Sequence, residues 1–119
     1  MEAFILVIAQ DRLTRSLIGA QLKEESFEVL GFESVTQAAS QLTELQVNPA
    51  LLIVDTLELN LEQKAIDLLG KICPRAPLML IHGACDRPGQ LRWTAERYEL
   101  ARPLTIGQIV DKVKDLVTT

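Results

Sequence analysis

Ala50-Leu51-Leu52-Ile53-Val54-Asp55-Thr56 decides how the chain is read, because an unbroken apolar run there stops abruptly at a carboxylate. A strand with one wet face would alternate apolar with polar side chains. Between Pro49 and Asp55 every residue is apolar, so the strand is expected to be covered on both faces, as in a parallel sheet flanked by helices. Asp55 then stands at a strand's carboxyl end. In open α/β sheets that edge is where ligands bind and chemistry is done.

Working outward, the same signature recurs. Phe4-Ile5-Leu6-Val7-Ile8 is a second buried-strand run that opens into Gln10, Asp11 and Arg12, and Leu78-Met79-Leu80-Ile81 is another, stopped by His82 and Gly83. Phe27-Glu28-Val29-Leu30-Gly31-Phe32 is less apolar and reads as a strand near a sheet edge, while Leu100-Ala101 is a short strand closed by Arg102-Pro103. Helical periods fall between these runs. Leu13, Leu17, Ile18 and Leu22 share one face of a helix over roughly 13–25, with Arg15, Lys23, Glu24 and Glu25 toward water. Ser34 and Gln37 have capping-box spacing before Ala38, Leu42 and Leu45, and Asn60-Leu61-Glu62-Gln63 repeats the signal before Ala65, Leu68, Leu69 and Ile72. Asp86-Arg87-Pro88 marks a fourth helix start, with Leu91, Ala95 and Tyr98 on one stripe. Thr105 and Gln108 cap the last helix, whose Ile106, Ile109, Val110, Val113, Leu116 and Val117 keep helical spacing.

Five strand signals alternating with five helix signals require parallel pairing with helical crossovers, an α/β, three-layer doubly wound sheet. At 119 residues, 48% hydrophobic and 24% charged, the chain suits a single domain over residues 1–119 that closes its core without staples. Both the dinucleotide-binding and the flavodoxin-like architectures have this pattern. The turn after the first strand, Ala9-Gln10-Asp11-Arg12, has no glycine, so its backbone is not built to approach a pyrophosphate. A net charge of -4 and no basic stripe weigh against nucleic acid as a partner. Cys73 and Cys85 lack metal-ligand spacing and read as reduced thiols. The amino-terminal apolar run is too short to cross a bilayer and carries an acid, Glu2, so a cytoplasmic protein with no membrane partner is expected.

Asp55 closing the third strand, Arg102-Pro103 after the fifth, the order of elements and the strand-to-helix rhythm of Ile5 to Arg15 together resemble a response-regulator receiver domain of two-component signalling. The likeness covers essentially the whole chain. It implies a (βα)5 flavodoxin-like fold with a five-stranded parallel sheet of order 2-1-3-4-5. It also implies that Asp55 is the position that takes a phosphoryl group from a histidine kinase, with Mg²⁺ and a lysine stabilising the dispersed negative charge. The departures cluster in that pocket. Ala9 and Gln10 stand where the family has a pair of acids, with Asp11 one place beyond. His82 replaces the hydroxyl residue ending the fourth strand, Arg102 replaces lysine, and the aromatic switch position falls on Glu99, with Tyr98 one residue early and on the opposite face.

These departures describe a degenerate, or pseudo-, receiver: a non-enzymatic module of a phosphorelay that acts through protein contacts without phosphorylation. No cofactor is implied, and Mg²⁺ binding only weakly. Asp55 is expected to pair with Arg102 rather than with a metal. Asp11 is expected to cap a helix and His82 to hydrogen-bond to neighbouring loops, rather than to ligate or to accept phosphoryl. Partners are other signalling proteins, or a second copy, met through the helix from 86, the strand at 100–101 and the last helix. Trp93, Tyr98 and Glu99 are the candidate contact residues there. Off its helical stripe and flanked by Arg92 and Arg97, Trp93 reads as an exposed hot spot or as a ring tucked against a neighbouring element. Two alternatives stand beside this reading: a genuine receiver phosphorylated on Asp55, and a small flavodoxin-like nucleotide-binding domain or enzyme.

Overall fold

The computed structural model describes residues 4–46, 48–57, 63–83 and 91–117. Its elements run β1 (Phe4–Ile8), α1 (Arg12–Glu24), β2 (Glu28–Phe32), α2 (Val35–Leu45), β3 (Leu51–Asp55), α3 (Gln63–Ile72), β4 (Leu78–His82), β5 (Arg97–Ala101) and α4 (Ile106–Leu116). All four strand pairs are parallel and the order is β2-β1-β3-β4-β5, as the apolar runs require. β3 lies at the centre, every one of its residues buried.

Two clusters cover the sheet's faces. Leu6, Ile8, Leu52, Val54, Leu78 and Leu80 point toward α2 and α3, where Ala38, Leu42, Ile66 and Leu69 meet them. The intervening Ile5, Val7, Leu51, Ile53, Met79 and Ile81 point toward α1 and α4 and pack on Ile18, Leu22, Ile109 and Val113. Side chains of period two thus feed both layers.

Helix starts follow the caps. Ser34 Oγ accepts the Gln37 N–H at 3.1 Å, while the Gln37 side chain accepts from Glu33 rather than from Ser34, so α2 has only half the reciprocal box. Thr105 and Gln108 complete theirs at 2.7 and 3.1 Å. The Asn60 to Glu62 part of the third cap lies outside the described residues, as do Cys85, Asp86, Arg87 and Pro88.

Three expectations change. Leu13 and Leu17 are not core residues: they are 66% and 45% exposed, and the inward stripe of α1 is Ile18, Gly19 and Leu22. One position turns a helix by about 100°, enough to carry Leu17 off the face that Ile18 occupies. Leu45 and Leu68 leave their stripes in the same way and are exposed. Third, Leu91–Glu96 is irregular and not helical, and β5 begins at Arg97 instead of Leu100. The Leu91, Ala95, Tyr98 spacing imitated a helix, but Arg97–Ala101 alternates charged or small residues with Tyr98 and Leu100, as a half-covered edge strand does.

Candidate functional site

The carboxyl edge of the sheet gathers the residues singled out in the sequence. Asp55 ends β3 opposite Ile81 of β4, and the β5 strand delivers Arg102 just beyond Ala101. Arg102 Nη1 donates to Asp55 Oδ1 at 2.5 Å, and the Leu57 N–H donates to the same oxygen at 3.0 Å. The carboxylate side chain is 6% exposed and the guanidinium 26%, so the pair is a half-buried ion bridge tying β3 to the end of β5. Arg102 also reaches the Ile81 carbonyl at 3.3 Å, and its backbone N–H donates to His82. The Arg102–Pro103 peptide is cis.

Next to the pair is Thr56, which sequence reasoning passed over. It is buried, and its N–H and hydroxyl both donate to the Ile81 carbonyl, at 2.9 and 3.1 Å. A β3–β4 bond is thereby continued past the strand. Its signal was the one polar side chain following the carboxylate that ends an apolar run.

Asp11 is turned to another task. Its Oδ2 accepts the Thr14 N–H at 3.0 Å and the Thr14 hydroxyl at 2.5 Å, capping α1. The Thr14 hydroxyl, then the Thr14 amide, and Arg15 beyond them hold its carboxyl below the ordinary range. Gln10 is exposed. Over the end of β1 lies Arg15, also missed from sequence, whose Nη1 donates to the Ala9 carbonyl at 2.7 Å and more distantly to that of Gln10. Its stem crosses Gly31 of β2, where an added Cβ would come within 3.0 Å of Arg15 Cγ. That partnership spans two strands and a helix and has no local sequence mark.

His82 and Glu99 meet on the α2–α3 side of the sheet. His82 Nε2 stands 3.4 Å from Glu99 Oε1, and its Nδ1 is 2.9 Å from the Gly83 carbonyl. Both ring nitrogens therefore face oxygen. Arg97 Nη2 lies 3.5 Å from the other Glu99 oxygen and its Nη1 donates to the Leu91 carbonyl. Tyr98 projects the other way, into the α1–α4 cluster, with its hydroxyl on Glu96 and Lys112 Nζ 5.6 Å from the ring centre. The Glu96 carboxylate raises the Tyr98 phenol above its usual range.

Trp93 is tucked, not displayed. Its Nε1–H donates to the Ala76 carbonyl at 2.8 Å, and its ring lies over Gly70 of α3 against the α2–α3 cluster. With Leu91 it covers sheet face that the sequence reading had given to a helix. An exposed Trp93 hot spot is thus corrected: the indole N–H needed an acceptor, and the Ala76 carbonyl supplied one.

The structure therefore brings Asp55 to Arg102 and His82 to Glu99, and leaves Asp11 on its own helix. Among the described residues no group of three or more His, Cys, Asp and Glu is placed to hold a metal ion. No described helix is long and apolar enough to cross a membrane.

No protein-family model matches the sequence, and no curated protein sequence matches it. Solved structures do. A response regulator receiver domain protein from Clostridium thermocellum superposes with a TM-score of 0.76 at 22% identity, covering 97% of this chain and 94% of its own. The receiver domain of the hybrid histidine kinase CckA gives 0.75 at 19% identity, over 98% of this chain and all of its own. The Vibrio cholerae chemotaxis protein CheY4 gives 0.73 at 12% identity, over 98% and 99%. The fold is that of response-regulator receiver domains.

Proposed function

We propose that the chain is a receiver-like signalling module of the cytoplasm that works by protein contact, with its phosphoacceptor position closed by an internal ion pair. The observation that carries this is the Asp55–Arg102 bridge at 2.5 Å. A phosphoacceptor carboxylate must be open to a phosphoryl donor and must share a divalent ion with other oxygens. Here the carboxylate is covered, and one of its oxygens is already committed to a guanidinium and to the Leu57 amide.

Mg²⁺ does not fit the donor set. Its near-octahedral shell is usually anchored by one or two carboxylates together with phosphate and water. Ala9 offers no side-chain oxygen, Asp11 is spent on Thr14, and the carbonyls of Ala9 and Gln10 already accept from a cation, Arg15. A second cation beside Arg15 and Arg102 would meet like charge. No step through a metal is derived for this chain.

Output then rests on surfaces. On the α1–α4 side, β5 and α4 present Tyr98 and Lys112, while Glu99 faces the other layer; we place contacts with other signalling proteins, or with a second copy, along β5 and α4. A second reading is favoured by one detail: among the described residues both contacts to Asp55 fall on Oδ1, which leaves Oδ2 for an incoming phosphoryl group. Incubation with acetyl phosphate and Mg²⁺ followed by intact-mass measurement separates the two. No added phosphoryl is expected. An adduct that disappears in Asp55→Asn establishes the second reading instead.

A further inference from the structure

Among the described residues the sheet ends in two open edges, β2 and β5, and they are finished differently. β5 carries Arg97 and Glu99, a charged pairing of the kind that discourages strand addition. β2, Glu28–Phe32, has a single charge, no proline, and Val29, Leu30 and Phe32 only partly covered. In a parallel ladder, residues that turn N–H and C=O to one neighbour alternate with residues that turn both to the other side. Because the Ala9 N–H donates to the Phe32 carbonyl, Phe32 and Leu30 serve β1, and the N–H and C=O of Val29 and Gly31 are directed to the open edge.

Two adjoining depressions lie along that edge. Toward α1 a depression of about 370 Å³ is lined by Arg15, Ser16, Lys23 and Gly31, and its neighbour of about 560 Å³ is lined by Phe4, Phe27, Leu30 and the half-exposed Leu45. Lys23 and Val29 belong to both. Gly31 adds no side chain, so a second backbone can approach closely. We propose that β2 accepts an extended segment of a partner protein as a sixth strand, acidic on the side facing α1 and apolar on the opposite side, where it meets Leu30 and Leu45.

The charge pattern selects this occupant over a second copy. A two-fold antiparallel pairing centred on Leu30 would set Val29 of one copy against Gly31 of the other. Arg15, which lies over Gly31, would then approach the other copy's Lys23, which borders Val29. Like charges across such a seam repel, whereas carboxylates at the same places are attracted. The mode of recognition is strand addition, in which main-chain bonds supply affinity and alternate side chains supply choice. It is independent of whether Asp55 is ever phosphorylated.

Two capped heptapeptides test this on the whole chain at low ionic strength, one alternating glutamate with leucine and valine, the other with lysine in place of glutamate. Binding is followed by amide chemical shifts and hydrogen exchange. The acidic peptide is expected to bind about tenfold more tightly than the basic one and to slow exchange at Val29 and Gly31. Lys23→Glu, an exposed change, is expected to erase that preference. Equal affinities, binding that leaves those two amides unprotected, or no binding of either peptide overturns the proposal. So does a homodimer that protects the same amides.

Discussion

Asp55 and Arg102 are not equivalent halves of their bridge, because the carboxylate is far more deeply covered than the guanidinium. Removing Arg102 strands a covered anion, at a cost of roughly 3–5 kcal/mol where burial is complete. Removing Asp55 strands a cation that can turn to water, so Asp55→Ala is expected to cost less than Arg102→Ala, about 2 kcal/mol against about 3. The double variant is expected to be no less stable than Arg102→Ala alone. Urea titrations of the three variants check the order; an Asp55→Ala protein more stable than wild type would mean that the carboxylate is held against repulsion, as in a metal pocket. Cys73 supplies a pH effect. Burial pushes its thiol from the ordinary range up to about 11. The folded state therefore keeps a proton that the unfolded chain has released, so the thiol's stabilising contribution is complete below about pH 8.5 and is lost as pH rises toward 11. Cys73→Ala is expected to flatten that alkaline decline, read as the difference between wild-type and variant denaturation curves from about pH 8 to 11.

At the level of elements, Trp93 ties an irregular segment to the far end of α3, and the tie has a polar and an apolar half. Trp93→Phe keeps most of the ring but leaves the Ala76 carbonyl without its donor, expected to cost about 1 kcal/mol. Trp93→Ala also loses half-buried contact over Gly70, for about 2 kcal/mol in all. Denaturation followed by circular dichroism reads both, since the variants lack the chain's one tryptophan. The same segment shows where sequence reading ends. The strands β1, β3 and β4 were legible because two-sided burial leaves runs that nothing but apolar residues fill. β5 was mostly missed, since Leu91, Ala95 and Tyr98 satisfy a helical period by coincidence while the strand's own alternation is blurred by Arg97 and Glu99. Asp55 facing Arg102 was legible because both residues stand at strand ends in a known topology. Arg15 over Gly31 was not, because nothing near either residue in sequence records the other.

For the molecule as a whole, the question is which cation balances the carboxyl edge of the sheet. Arg15 at the end of β1 and Arg102 at the end of β5 bracket Asp55 with fixed positive charge, while the chain's net charge of -4 is carried elsewhere. If these guanidiniums do what a divalent ion does in a phosphorylatable pocket, added Mg²⁺ has no differential affinity for the folded state and cannot stabilise it. A real site with a dissociation constant of about 0.1 mM would add roughly 2.7 kcal/mol at about 10 mM Mg²⁺. For a domain of this size that would raise Tm by on the order of 10 °C. The expected result is a melting curve that about 10 mM MgCl2 leaves within about a degree of the curve in NaCl of equal ionic strength. In Arg102→Ala, where the covered carboxylate has lost its partner, the same addition is expected to raise Tm measurably. A wild-type shift of several degrees, abolished in Asp55→Asn, would show instead that the arginine yields its place to the metal, and that closure of the pocket is one of two states and not its resting chemistry.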